Sequence, residues 1–99
     1  MKKIILAITM ACAMNVYADY EDDVKAELKD PDSAQFKDVA GHEVEGAFIV
    51  CGRVNSKNGF GGYTGFKEFI TVPGLTIIRG MEGITDEVFV GTWNRLCRN

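Results

Sequence analysis

The sequence predicts an α+β domain: a small antiparallel sheet of three to four strands, an N-terminal helix, a C-terminal helix and one disulfide. Three observations lead there. Tyr20, Val24 and Leu28 recur every four residues, which puts them on one face of a helix. The stretch GAFIVCGRVN, residues 46–55, carries a continuous apolar run that suits a strand buried on both faces. Cys51 and Cys97 form an even pair in a chain that begins like an exported protein.

That beginning is set aside before any fold reasoning. Lys2 and Lys3 make a short positive region, and Ile4 to Met14 is apolar except for Thr9. Val16 and Ala18 then stand at the −3 and −1 places that a signal peptidase reads. Residues 1–18 therefore read as a signal peptide and residues 19–99 as a single small domain, periplasmic or secreted. The apolar run is shorter than the ~20 residues a membrane helix needs, so the mature chain is expected to have no membrane span. A rival cut before Cys12 faintly resembles a lipoprotein signal, but Thr9 stands where leucine is usual.

The elements follow in order. Asp19 to Lys29 reads as a helix, with Asp19, Glu21, Asp22 and Asp23 in the first turn, where the helix dipole favours anions. Asp30 precedes Pro31 and is pushed from helical geometry, so a break and one short turn follow. Phe36 and Val39 then enter the sheet, and His42 falls on a surface turn beside Gly41. Residues 46–55 form the strongest strand. YTGFKEFITV, residues 63–72, is the next, with Thr64, Phe66, Glu68 and Ile70 on one face. Pro73-Gly74 signals a turn, and LTIIRG, residues 75–80, returns beside it. The last segment is ambiguous. Val88-Phe89-Val90 favours a strand, while Phe89, Trp93 and Cys97 fall at helical spacing after a Thr85-Asp86-Glu87 start. The helix is the reading adopted. A Cys51–Cys97 bridge would pin it to the buried strand and close a loop of ~45 residues.

Charge narrows the function. Residues 19–45 carry ten acids and three bases; residues 46–99 carry four acids and six bases. An acidic domain repels phosphates, so nucleic acid is an unsuitable partner. Catalytic sets are thin. His42 is the only histidine, so no paired-histidine metal site can form, and no cofactor is implied. Ser33 and Ser56 have no base at a recognisable spacing, and oxidised cysteines offer no thiolate nucleophile.

The Gly-rich segment 56–62 deserves the closest reading. Gly59 and Gly61 begin a dinucleotide fingerprint, but Thr64 stands where its third glycine belongs, and a strand follows instead of a helix. A hairpin connection needs less: Asn58-Gly59 is a favoured turn pair. Phe60 and Tyr63 sit in or beside this loop. They either fold back over the sheet edge or form a contact patch with Lys57 and Arg53. The candidate binding residues are therefore Arg53, Lys57, Phe60 and Tyr63.

LKDPDSAQFKDV, then CGRVNSKNGFGGYTGFKEFI, with WNRLC near the end, together resemble a family of small exported, uncharacterised proteins of proteobacteria and their phages or prophages. The likeness covers most of residues 19–99. It implies an exported location and a Cys51–Cys97 partnership, and it brings no catalytic residues. The expected function is a non-enzymatic binding module acting on an envelope or extracellular protein, on a host envelope protein if the chain is phage-borne. The alternative is a small enzyme, or enzyme inhibitor, directed at the cell wall. The intact mass of the exported protein is expected to match a chain starting at Asp19 without lipid; a diacylglyceryl mass on a chain starting at Cys12 would refute this.

Overall fold

The computed structural model describes residues 20–98. The predicted signal peptide, residues 1–18, and the Cys12 alternative lie outside the described residues. Four antiparallel strands form one sheet in the order β1-β2-β3-β4: β1 Gln35–Val44, β2 Ala47–Asn55, β3 Lys67–Val72 and β4 Leu75–Ile78. Helix α1, residues 20–25, precedes the sheet, and a single 3-10 turn, Pro31–Ser33, lies between them. Helix α2, Asp86–Leu96, follows β4. The α+β class and both helices are as the sequence predicts.

The helices lie on opposite faces of the sheet. Val24 of α1 packs with Val50, Val54, Phe69 and Ile78, joined by Tyr20, Leu28, Phe36 and Val39. Phe89 of α2 packs with Ile49, Cys51 and Ile70, joined by Trp93, Leu96 and Cys97. Successive strand residues point to opposite faces, so the run Ile49-Val50-Cys51 feeds both clusters and all three side chains are buried. This is why β2 reads as an unbroken apolar run instead of an alternation. Ala47, at its start, is exposed.

The first cluster centres on Phe69, which is fully buried and pairs across the ladder with Gly52. Its ring stacks on Tyr20, with centroids 6.2 Å apart, and meets Phe36 edge-on at 5.9 Å. Such pairs contribute about 0.5–1.5 kcal/mol beyond their area burial. A Cβ on Gly52 would lie 2.9 Å from Val39 Cγ2 and 3.0 Å from the Phe69 ring. The absent side chain is therefore what lets the ring and Val39 close over the strand.

Val39 reaches that place through a bulge. The β1–β2 register shifts between Lys37 and Ala40, so Asp38 and Val39 together oppose Gly52. Asp38 takes a φ of 54°, a left-handed conformation that aspartate tolerates better than most residues. Phe36 and Val39, three residues apart, thereby share a face.

Helix α2 begins at Thr85, whose hydroxyl accepts the Val88 N–H, and carries Asp86 and Glu87 in its first turn. Cys97 caps its far end and is bonded to Cys51, with Cα atoms 6.0 Å apart. The bridge spans 46 residues. On the chain-entropy model a loop of that size contributes about 4 kcal/mol, a large share for so small a domain.

The details differ from expectation in several places, among them β4, which ends at Ile78 and not at Gly80. Helix α1 ends at residue 25, not at Lys29, because the chain tightens into i→i+3 bonds from Glu27 N–H to Val24 O and from Leu28 N–H to Lys25 O. His42 lies within β1, opposite Ile49, and not on a turn. The turn comes later, at Glu45-Gly46, where φ values of 50° and 83° match a type I′ hairpin. β3 starts at Lys67, so residues 63–66 belong to the connection.

Gly52→Ala is expected to cost about 1–3 kcal/mol by overpacking. Gly59→Ala, where an added Cβ meets nothing within 4 Å, is the matched control and stays near neutral. Urea denaturation of both variants decides; a neutral Gly52→Ala would show that the Phe69 contact does not need the glycine.

Candidate functional site

The connection from β2 to β3 is a built hairpin tip. Asn58 N–H donates to Gly62 O at 2.9 Å, and Gly61 N–H donates to Asn58 O at 3.0 Å. Gly61 has a φ of 83°, the left-handed residue that ends a three-residue loop of a type I turn plus bulge. Asn58 therefore does not supply the positive φ expected of an Asn-Gly pair. Its side chain works instead: Oδ1 accepts the N–H groups of Phe60 at 2.9 Å and Gly62 at 3.2 Å. The loop is thus held from inside by one amide.

Its base is held from outside by the 3-10 turn. Lys57 N–H donates to Ser33 Oγ at 2.8 Å, and Tyr63 O–H donates to Ser33 O at 3.2 Å. The Ser33 hydroxyl in turn donates to Asp30 O at 2.7 Å. Asn55 Oδ1 accepts the Gly65 N–H at 3.0 Å. Lys57 and Tyr63 also form an isolated bridge across the loop, with the Lys57 ammonium 5.6 Å from the Tyr63 ring centroid, within cation–π reach. Sequence reasoning missed Ser33 and Asn55 because their partners lie 24 and 10 residues away.

Three of the four predicted binding residues, Lys57, Phe60 and Tyr63, come together here. Phe60 is 99% exposed and Tyr63 is 47% exposed, so neither is folded into the sheet. Arg53 stays within β2, ion-paired with Asp38 of the bulge at 3.6 Å. Both partners of that pair are well exposed, so it adds little stability. Phe66, 38% exposed, extends the aromatic surface beyond the loop, with Lys37 Nζ 4.2 Å above its ring.

A cleft of about 470 Å³ opens beside the loop. Ser56, Lys57, Asn58 and Thr64 line one side, and the turns after α1 line another. Because α1 is short, the ends of β2, β3 and β4 on that face are left open. The described carboxylates are all half-exposed or exposed. The only buried polar side chain described is Thr71, whose hydroxyl bonds Thr76 at 2.7 Å. Among the described residues, no group of three or more His, Cys, Asp or Glu could hold a metal ion, and no helix is long and apolar enough to cross a membrane. Comparisons with protein-family models, with characterised proteins and with solved structures find no match to this chain.

Phe60→Ala is expected to change stability by no more than about 0.5 kcal/mol, as for other exposed positions. Asn58→Ala is expected to cost about 1 kcal/mol and to speed amide exchange at Phe60 and Gly62, whose N–H groups lose their acceptor. Denaturation and hydrogen exchange check both. A Phe60→Ala loss of about 3–5 kcal/mol, the size of a core deletion, would contradict an exposed tip.

Proposed function

We propose that this protein is a non-enzymatic binding module of the periplasm or the cell exterior, and that residues 57–63 are its contact loop. The observation that carries the reading is Phe60: a whole aromatic side chain in solvent, at the end of a loop braced at five backbone or side-chain hydrogen bonds. Ordering a loop costs about 1–2 kcal/mol per residue of backbone. A loop that is already ordered does not pass that cost on to binding. Burial of one Phe side chain contributes roughly 1.5–3 kcal/mol, and rigid aromatics are frequent anchors at interfaces.

The partner is an envelope or extracellular protein. The exported location rests on the N-terminal leader and on the Cys51–Cys97 bridge, which persists in oxidising compartments. The family resemblance adds that the chain is of bacterial or phage origin; a phage-borne copy would act on the host envelope. A cell-wall enzyme would be expected to use a carboxylate whose surroundings shift its proton affinity. The solvent contact of the described carboxylates favours the binding module instead.

Envelope extracts passed over the immobilised protein test the reading. The native chain is expected to retain a specific partner. Phe60→Ala should weaken retention at least tenfold, and Phe60→Ala with Tyr63→Ala should abolish it while the fold stays intact by circular dichroism. Undiminished capture by the folded double variant would sink the assignment.

A further inference from the structure

The cleft beside the loop has the chemistry of a second recognition site. Its apolar floor is formed by Leu28, Val54 and Ile78, one residue each from the turn after α1, from β2 and from β4. Its rim carries Lys29, Lys57 and Lys67. Among the described residues, none of these three lysines has a carboxylate within ion-pair distance, whereas Lys25, Arg53 and Arg79 are each paired with one. Arg79 also lines the cleft, but it is engaged by Glu68 at 3.5 Å and Asp86 at 3.6 Å. Glu27 and Glu82 are the two carboxylates of the lining. With Arg79 so engaged, the cleft presents three lysines without a carboxylate partner against two glutamates, on a chain whose formal net charge is −3.

A local excess of ammonium groups without carboxylate partners around an apolar floor complements a ligand that is apolar in the middle and anionic at its flanks. A cleft of about 470 Å³ falls within the ~300–1,000 Å³ range of ligand sites. It is open, and its wall is continuous with the contact loop through Lys57 and Asn58. We propose that the cleft takes a short acidic peptide segment of the partner, with an aliphatic side chain between Leu28, Val54 and Ile78 and flanking carboxylates on Lys29, Lys57 and Lys67. The proposal rests on the binding-module reading and supplies the chemical class of the partner. Lys57 joins the two surfaces, since its backbone is fixed by Ser33 while its side chain can serve either the loop or the cleft.

The test is NMR titration of the 15N-labelled protein at ~150 mM salt with two blocked tetrapeptides, Glu-Leu-Glu-Leu and Lys-Leu-Lys-Leu. The acidic peptide is expected to give saturable shifts at Leu28, Lys29, Val54, Lys67 and Ile78, and the basic peptide none at those positions. Lys29→Glu with Lys67→Glu, both exposed positions, should weaken the acidic peptide at least tenfold while the remaining spectrum stays that of the folded protein. Three results overturn the proposal: no saturable shift up to millimolar peptide, equal shifts with both peptides, or saturable binding of octanoate without binding of the acidic peptide. Phe60 does not line the cleft, so the two readings separate. Partner capture lost with Phe60→Ala but kept with Lys29→Glu and Lys67→Glu would leave the loop assignment standing and remove the cleft from it.

Discussion

The contact of the Phe69 ring with the bare backbone of Gly52 is the constraint on which the rest of this structure depends. A large ring can lie across the backbone of the neighbouring strand where that strand offers no side chain. Gly52 provides that gap, and a Cβ there would stand 3.0 Å from the ring. Phe69 then offers a flat surface on which Tyr20 stacks and Phe36 abuts. Tyr20 belongs to α1, and Phe36 is the second residue of β1. One close approach thus ties the N-terminal helix, the edge strand and the sheet centre together. The bulge at Asp38 serves the same contact, because it turns Val39 toward Gly52.

The opposite face is secured differently. Phe89 alone of α2 is fully buried, and Val88 and Val90 beside it are exposed. One eleven-residue helix with a single buried anchor gives a modest hydrophobic contribution. The Cys51–Cys97 bridge compensates by holding the end of the helix to the most buried strand. Arg79 secures the beginning of the helix through Asp86, and it joins that end to β3 through Glu68. Covalent closure at one end supplements the small core of this domain, whereas the exposed Arg79 pairs orient the other end and add little stability.

Much of this architecture was legible in the chain, and the exceptions have physical reasons. The stripe Tyr20-Val24-Leu28, the apolar run of β2, the Pro73-Gly74 turn and the Thr85 cap all act locally, within a few residues. The full length of β1 was not legible. Its bulge breaks the two-residue period, so Phe36 and Val39 face α1 while Ala40, His42 and Val44 follow the other phase. The Glu45-Gly46 turn was hidden because glutamate is an unusual occupant of a positive-φ position. In the candidate site, the aromatics and Lys57 stood out by composition. Ser33, Asn55 and the cleft lysines did not, because Lys57 and Lys67 approach through the β2–β3 pairing and Lys29 joins them only through the segment after α1. Side-chain-to-backbone braces between distant segments leave no periodic trace in a sequence.

The distribution of charge explains how an acidic protein can offer a basic site. The acids of residues 20–45 are spread over α1, the turns and the edge strand, and most are exposed. At physiological salt their field decays within about 8 Å. Beyond that distance the net negative charge acts weakly on a partner; within it, the nearest groups decide. In the cleft lining those groups are three lysines without a carboxylate partner, beside apolar side chains and two glutamates. Long-range electrostatics therefore oppose an acidic partner slightly, while contact electrostatics favour it. Such a site gains selectivity from contact more than speed from attraction. The exposed Phe60 fits that regime, because an apolar anchor acts only at contact and is indifferent to the sign of the field around it. On the proposed binding reading, loop and cleft would act over the same short range, and the base formed by Ser33 and Asn58 would fix the geometry in which a partner meets both.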